Sequence, residues 1–277
     1  MKQSSPIRRE FALPPPELRE LIERLWSWES DAAVPLPLLL PGTGAELVLH
    51  YRTPFVAFGS DGSRHFPGAA HLSGLRSFSC RLVAPGPVGF VAVRFRSGAV
   101  RHFGRLRATE VIDRFPAAAE HFGPAVDELA AELPRLPDFA RRAERIGAFL
   151  LERLRPIAAG RERADRVVEA LYYREPEASV ADLAEDFGYS RRQLERLVDE
   201  AAGSSPKRFR RVARLHHTMR HLLLARETDY LDAALARGFY DQAHFIHELG
   251  ALTGHTPREV LTPEAFVSHF YNPRLPR

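Results

Sequence analysis

Cysteine is almost absent from this chain: of 277 residues, only Cys80 is one. That excludes an intrachain disulfide and any multi-cysteine zinc site. No helix N-terminus or motif stands beside Cys80 to activate it, so it reads as a buried, inert thiol. Also missing is any apolar run near the ~18–20 residues that a membrane span requires. The opening MKQSSPIRREFALPPP lacks the apolar core of a secretory signal, so the expectation is a cytoplasmic protein without membrane contact. Histidines number 12, yet the first half holds no H-x-H pair and the chain no H-E-x-x-H; His247-Glu248 lacks its second histidine. There is no nucleophile–base set and no phosphate-cradling glycine loop. Together these absences argue against an enzyme, a cofactor and a resident metal.

What is present is ordinary globular composition, 45% hydrophobic and 27% charged, in a chain long enough for two cores. The net charge of +4 comes from residues 1–162, which hold 22 Lys+Arg against 18 Asp+Glu. Bulk charge therefore says little about partners, and its placement says more. Residues 188–226 carry ten basic and three acidic side chains, whereas 163–187 and 227–262 are each net −4. One block concentrates the positive field.

The two halves differ in texture, which predicts an α+β protein of two domains. Strand-like runs AELVLHY (45–51), FVAF (55–58), FSCRLV (78–83) and VGFVAVRF (88–95) lie between the turn signals PGTG, GSDGS and APGP. Val91, Val93 and Phe95 alternate with Ala92, Arg94 and Arg96, the period of a half-buried strand. ELRELIERLW, with Leu18, Leu21, Ile22 and Leu25 on one face, predicts an early helix. These features describe a β-rich domain over 1–105, a barrel or sandwich. A helical connector and dimerisation region follows over 106–160. In it FARRAERIGAFLLERL (139–154) aligns Phe139, Ala143, Ile146, Phe149, Leu150 and Leu154, a stripe that packs on its own domain or on a second copy, the former being favoured. Residues 156–160 read as the end of that helix and a short linker.

The stretch 161–265 is helical and repeats itself, and 266–277 forms a tail. GSSPKRF at 203 returns as GHTPREV at 254, and FGYS at 187 as RGFY at 237; Leu194, Leu197, Val198 and Gly203 thus correspond to Phe245, Glu248, Leu249 and Gly254. In the first copy Ser179 caps a helix that buries Val180, Leu183, Ala184 and Phe187, and Gly188 turns the chain. Ser190, with Gln193 as its capping-box partner, starts a second helix with Leu194, Leu197, Val198 and Ala201 inward. Two short helices about a glycine turn make a helix-turn-helix. Its outer face carries Arg191, Arg192, Glu195 and Arg196. Ser205-Pro206 then opens a helix of ~20 residues, ~30 Å long, close to the ~34 Å between successive major grooves on one face of DNA.

These residues resemble the AraC-type transcription regulators, through SVADLAEDFGYSRRQLERLVDEAAGSSPKRFRRVARLHHTMRHLLLA and DYLDAALARGFYDQAHFIHELGALTGHTPREV. The resemblance covers roughly 100 residues and implies a seven-helix domain with two helix-turn-helix motifs that binds double-stranded DNA. By position it places base reading on Arg192, Glu195 and Arg196 in the first motif and on Gln242, Ala243, Ile246 and His247 in the second. Phosphate contacts are expected from Ser190, Arg191, Lys207, Arg208, Arg210 and Arg211. Arg192 and Arg196 suit guanine and Gln242 adenine; Glu195 suits cytosine N4 or a neighbouring arginine. The second copy departs from the first: Ala233 and Arg237 replace Leu183 and Phe187, and His247 stands where the family usually has arginine. Motif one should therefore dominate affinity.

The N-terminal half more faintly resembles the β-rich, cupin-like sensor domain that precedes such DNA-binding domains, through LWSWE, PGTGAELVLHY and VGFVAVRFRSGA. That implies a small-molecule effector, with Trp26, Trp28, His50, Tyr51, Phe90, Arg94 and Arg96 as candidate pocket residues; a purely structural or dimerising domain is the plain alternative. RNA polymerase is a further expected partner, and the chain a homodimer or monomer. The rival reading is a metal-dependent enzyme on the β domain with an accessory DNA-binding domain, using His50, His65, His71, His102 and Glu46. His217 and His221, i and i+4, read as a solvated or phosphate-facing pair.

Overall fold

The computed structural model describes residues 7–156, 159–173 and 179–273. Eight strands form the first half: β1 (Arg8–Ala12), β2 (Ile22–Glu29), β3 (Glu46–His50), β4 (Val56–Gly59), β5 (Arg64–His65), β6 (Ala70–Ser73), β7 (Cys80–Val83) and β8 (Gly89–Phe95). They pair antiparallel into a five-stranded sheet, ordered β1-β2-β8-β3-β6, and a three-stranded sheet, β5-β4-β7. The barrel-or-sandwich expectation resolves to two open sheets.

Strand β8 explains how the layers form. Val91, Val93 and Phe95 enter one core with Leu25 of β2 and Leu47 and Leu49 of β3. Phe90 and Ala92 enter another with Trp26, Trp28 and Val48, and this second core is closed by Phe55, Ala57, Cys80 and Leu82 on the side of the small sheet. The alternation is real, but β8 is covered on both faces rather than half-buried. Helices α1 (Ala119–Phe122), α2 (Ala125–Glu132) and α3 (Phe139–Arg153) cover the first face. Val126, Leu129, Ile146, Phe149 and Leu150 share its core, so the α3 stripe packs on its own domain.

The early helix expected at ELRELIERLW is not there. Leu18, Leu21, Ile22 and Leu25 are all buried, but through a 3-10 turn at Pro16–Leu18 that leads into β2. This strand lies between β1 and β8 and is buried on both sides, so it shows no period of two. Without that period, apolar spacing cannot separate strand from helix. Strands β1, β5 and β6 are likewise not announced by an apolar run.

The second half is helical: α4 (Ala159–Tyr173), α5 (Val180–Asp186), α6 (Arg191–Ala202), α7 (Pro206–Ala225), α8 (Leu231–Leu235), α9 (Gln242–Thr253), α10 (Pro257–Val260) and α11 (Pro263–Val267). The expected linker is shorter than 156–160, because α4 already includes Ala159; Ile157 and Ala158 lie outside the described residues. Phe209, Val212, Leu215, Met219 and Leu222 of α7 form the spine of this half's core, and Leu40 and Leu75 of the β domain are built into it. The domains thus share apolar contact as well as ion pairs: Arg101 and His102 meet Asp165 at 2.8 and 2.5 Å, and Arg96 meets Glu169 at 3.3 Å.

Candidate nucleic-acid interface

Both copies of the repeat fold as two helices about a glycine. Gly188 and Gly238 take left-handed backbone, φ 66 and 76, a conformation that costs L side chains a Cβ clash. In the first motif Ser179 and Asp182 form a capping box on α5. Ser190 Oγ accepts from the Gln193 amide at 3.3 Å, and Gln193 Oε1 accepts from the Ser190 amide at 2.8 Å, as the spacing predicts. Leu194, Val198 and Ala201 are buried and Leu197 half-buried, which turns Arg191, Arg192, Glu195 and Arg196 outward, all four exposed. Arg191 Nε donates to Glu195 Oε1 at 3.0 Å, so Glu195 already has the neighbouring arginine as a partner.

In the second motif Asp241 caps α9 by accepting from the His244 amide at 2.7 Å. Phe245 and Leu249 are fully buried at the positions of Leu194 and Val198, and Gln242, Ala243, Ile246 and His247 are exposed. The Gln242 amide donates to the Tyr230 hydroxyl at 2.9 Å. The thinner core is braced by charge. Glu248, at the position of Leu197, accepts from Arg211 of α7 at 2.7 Å. Arg214 donates to the Gly238 carbonyl at 3.0 Å and lies 4.4 Å from the centroid of the Phe239 ring.

The two motifs open on one concavity of about 1120 Å³, whose lining includes Arg191 of α6, Lys207, Arg210, Arg211 and Arg214 of α7, Arg237, and His244 of α9. First-turn residues of both outward-facing helices thus border the same basic surface. Among the cations expected to meet phosphate, Lys207 is exposed, Arg211 is held by Glu248, and Arg208 is held by Asp113 of the β domain.

The β domain touches the repeat at equivalent places. Gly203, which ends α6, lies so close to residues 108–112 that a Cβ there would stand 2.7 Å from the Thr109 amide nitrogen. Where α9 ends, Ser79 Oγ donates to the Thr253 carbonyl at 2.6 Å, and Gly254 faces Ser60.

The candidate effector residues divide between faces. Trp28, His50 and Phe90 lie opposite one another across β2, β8 and β3 and share the core between the sheets; Trp26 joins them, its Nε1 donating to Glu46 at 3.2 Å. Tyr51 is on the other side, within the helix-covered core. Its hydroxyl bonds Ser27 and Glu29, and Arg142 lies 4.0 Å from its ring centroid; burial pushes its pKa up to about 12. Arg94 faces Glu46 at 3.9 Å and lines a separate cavity with Tyr172, His216 and Arg220 of the helical half, and Arg96 pairs with Glu169 of α4. Of the effector candidates, Trp26 and Phe90 line the inter-sheet cavity and Trp28 and His50 do not; Phe55, His71, Leu82, Phe115 and Phe270, none of them among those candidates, also line it. His71 alone carried a signal, as a histidine in the rival metal set. Among the described residues, no three His, Cys, Asp or Glu side chains gather to hold a metal. His217 turns to the Tyr172 carbonyl and His221 to Glu227.

Residues 163–262 match a helix-turn-helix domain family, and residues 10–116 match a domain of unknown function (DUF6597). No curated protein matches. Among solved structures the chain is similar to ToxT from Vibrio cholerae O395, at TM-score 0.44 and 11% identity, over 94% of this chain and 98% of that one. ToxT from Vibrio cholerae strain SCE256 with an unsaturated fatty acid bound aligns at TM-score 0.44 and 11% identity, over 94% and 97%.

Proposed function

Since residues 163–262 form an AraC-type helix-turn-helix domain, we propose that this chain, a DNA-binding transcription regulator, reads two successive major-groove segments on one face of its operator, α6 entering one and α9 the next. The observation that carries the reading is the outward display of Arg192 and Arg196 on one helix and Gln242, Ala243, Ile246 and His247 on its repeat, with both helices bordering one basic concavity. Arginine pairs bidentately with guanine, glutamine with adenine, and the Ile246 side chain offers apolar contact to a thymine methyl. Ser190, Arg191, Lys207, Arg210 and Arg211 hold the backbone, and positioning of that kind fixes register without reading sequence. The region 161–265 reads DNA, and the β domain senses a small molecule.

Selection of bound duplexes from a random pool with the full chain tests this. Two conserved half-motifs centred about 10–10.5 base pairs apart are expected. A single short motif, or enrichment without any preference, overturns the two-groove reading.

A further inference from the structure

After α11 the chain turns back on itself. The Val267 carbonyl accepts from Arg9 at 2.6 Å, the Asn272 carbonyl from Arg220 of α7 at 2.6 Å, and the Pro273 carbonyl from Arg24 of β2 at 2.5 Å. Between these anchors the rings separate. Tyr271 packs against His216 of α7, centroids 5.1 Å apart, while Phe270 enters the space between the two sheets. Its ring meets Trp28 edge-on at 4.8 Å and lies 6.0 Å from Trp26 and 6.5 Å from Phe90. Trp26 and Trp28 are the chain's two tryptophans.

Behind Phe270 the remaining cavity is about 30 Å³, room for little more than a water. Polar groups without partners lie on it and next to it, His71 in its lining and His50 and Trp28 in the adjoining core. Neither ring nitrogen of His50, nor His71 Nδ1, nor Trp28 Nε1 has a hydrogen-bond partner. The His50 and His71 rings stack at 5.5 Å. Burial takes His50 down to about 3 and His71 well below its ordinary value, so each is a neutral imidazole, with both nitrogens unused on His50 and Nδ1 unused on His71. Buried polar groups are nearly always satisfied; an imidazole nitrogen left open on an apolar slot, with a second imidazole stacked on its ring, has the composition of a binding site, mostly apolar with a few polar groups that orient a ligand.

We propose that the space between the sheets is the effector site, that it takes a small molecule with an aromatic ring and a hydrogen-bonding oxygen, and that the Phe270 ring is its internal occupant, kept there by the carbonyls of Asn272 and Pro273 anchored outside it on Arg220 and Arg24. This deepens the sensing role assigned above and rests on it. The same tail residues hold α7, the helix between the two DNA-reading motifs, through His216 and Arg220. An effector that takes the Phe270 slot expels the tail and removes that hold. The exchange supplies what an allosteric ligand needs, a difference in affinity between two states of the protein. Because the tail is tethered beside its slot, it competes at high effective concentration, and the apparent affinity of any effector is reduced by the small fraction of chains with the tail out.

The test uses N-acetyl-L-phenylalaninamide, which carries the ring and carbonyls of the tail, with N-acetyl-L-leucinamide as the ringless control. Tryptophan emission reads the slot directly, since both indoles face Phe270. Three proteins are compared: the full chain, the full chain with Phe270→Ala, and the chain ending at Val267. The phenylalanine amide should bind both variants at least tenfold more tightly than the full chain, with a change in emission that the leucine amide does not produce. At saturation it should bring the DNA affinity of the full chain to that of the chain ending at Val267. Phe270→Ala keeps the backbone anchors, so it reports even where truncation unfolds the protein. Equal affinity for all three proteins overturns the proposal. So does binding to the variants while saturating amide leaves the full chain's DNA affinity unchanged, which marks an artificial cavity only. Loss of DNA binding by the full chain itself would instead sink the regulator reading, and tail competition would still be read in the tryptophan signal.

Discussion

The Asp113 carboxylate holds the Arg208 guanidinium across the domain boundary, and Ser77 Oγ accepts from the same guanidinium at 2.9 Å. Asp113 also accepts from the Ser77 amide at 2.7 Å and sits at φ 54. A cation expected to meet phosphate is therefore engaged inside the protein. Asp113→Asn tolerates the left-handed backbone and keeps an acceptor for Ser77, but removes the charge that holds Arg208. DNA affinity should rise at low salt. A released guanidinium that reaches phosphate should steepen the slope of log K against log salt by about 0.9, measured by anisotropy titrations between 50 and 200 mM salt. An unchanged slope would show that Arg208 serves only the domain boundary.

The repeat is unequal, and its halves should contribute unequally. Arg196→Ala at pH 7.5 should cost about 1–3 kcal/mol of operator discrimination, whereas His247→Ala should cost a small fraction of that. Equal losses in direct binding measurements would remove the asymmetry between the motifs.

Ser190 satisfies the first turn of α6, from which Arg191, Arg192 and Arg196 project. Ser190→Ala should lower stability by about 1 kcal/mol and Ser190→Asn much less, read from urea midpoints. Hydrogen exchange should quicken at the start of α6. Unchanged exchange there would mean that the cap does not fix this turn.

Acid should destabilise the protein well above the carboxylate range. His50, His71 and His216 are buried and held below their ordinary 6.5, His50 at about 3, chiefly by burial. The unfolded chain takes up protons near pH 6.5 that the folded chain refuses, so stability is full above that pH and falls as pH drops from 6.5 toward 4. Each histidine contributes at most about 1.4 kcal/mol per pH unit. The window from pH 6.5 to 5 lies above the ordinary carboxylate range, so a decline in the urea midpoint across it belongs to histidine, and His216→Gln should flatten it. A flat profile for the unsubstituted chain would contradict neutral burial of these rings.

The helical half was legible because its signals are local. Ser179, Ser190 and Ser205 cap helices, glycines turn the chain between them, and the inward stripes fall three or four residues apart. β3, β4, β7 and β8 were legible for a similar reason, as apolar runs between turn signals. β2 was not, because a strand covered on both faces has no polar alternation, and Leu18, Leu21, Ile22 and Leu25 fit a helix equally well. The inter-sheet cavity was half-legible. Trp28, His50 and Phe90 lie on strands whose aromatic content draws attention, but Phe55, His71 and Phe115 join them only through sheet pairing. Phe270 lies far along the chain from Trp26, Trp28 and Phe90, its neighbours in the sheet, and nothing in the spacing of its own segment announces that it returns there.

Gly203 and Gly254 occupy the same point of the repeated unit, and the β domain abuts both. On the reading proposed above, these two contacts, one from residues 108–112 and one from Ser60 and Ser79, work as a gauge block between two reading heads. A small shift of one contact against the other would change the phase of one head against the other while leaving the letters each recognises untouched. Duplexes that share both half-motifs but differ by one base pair in the gap between them would then be sorted by the state of the β domain.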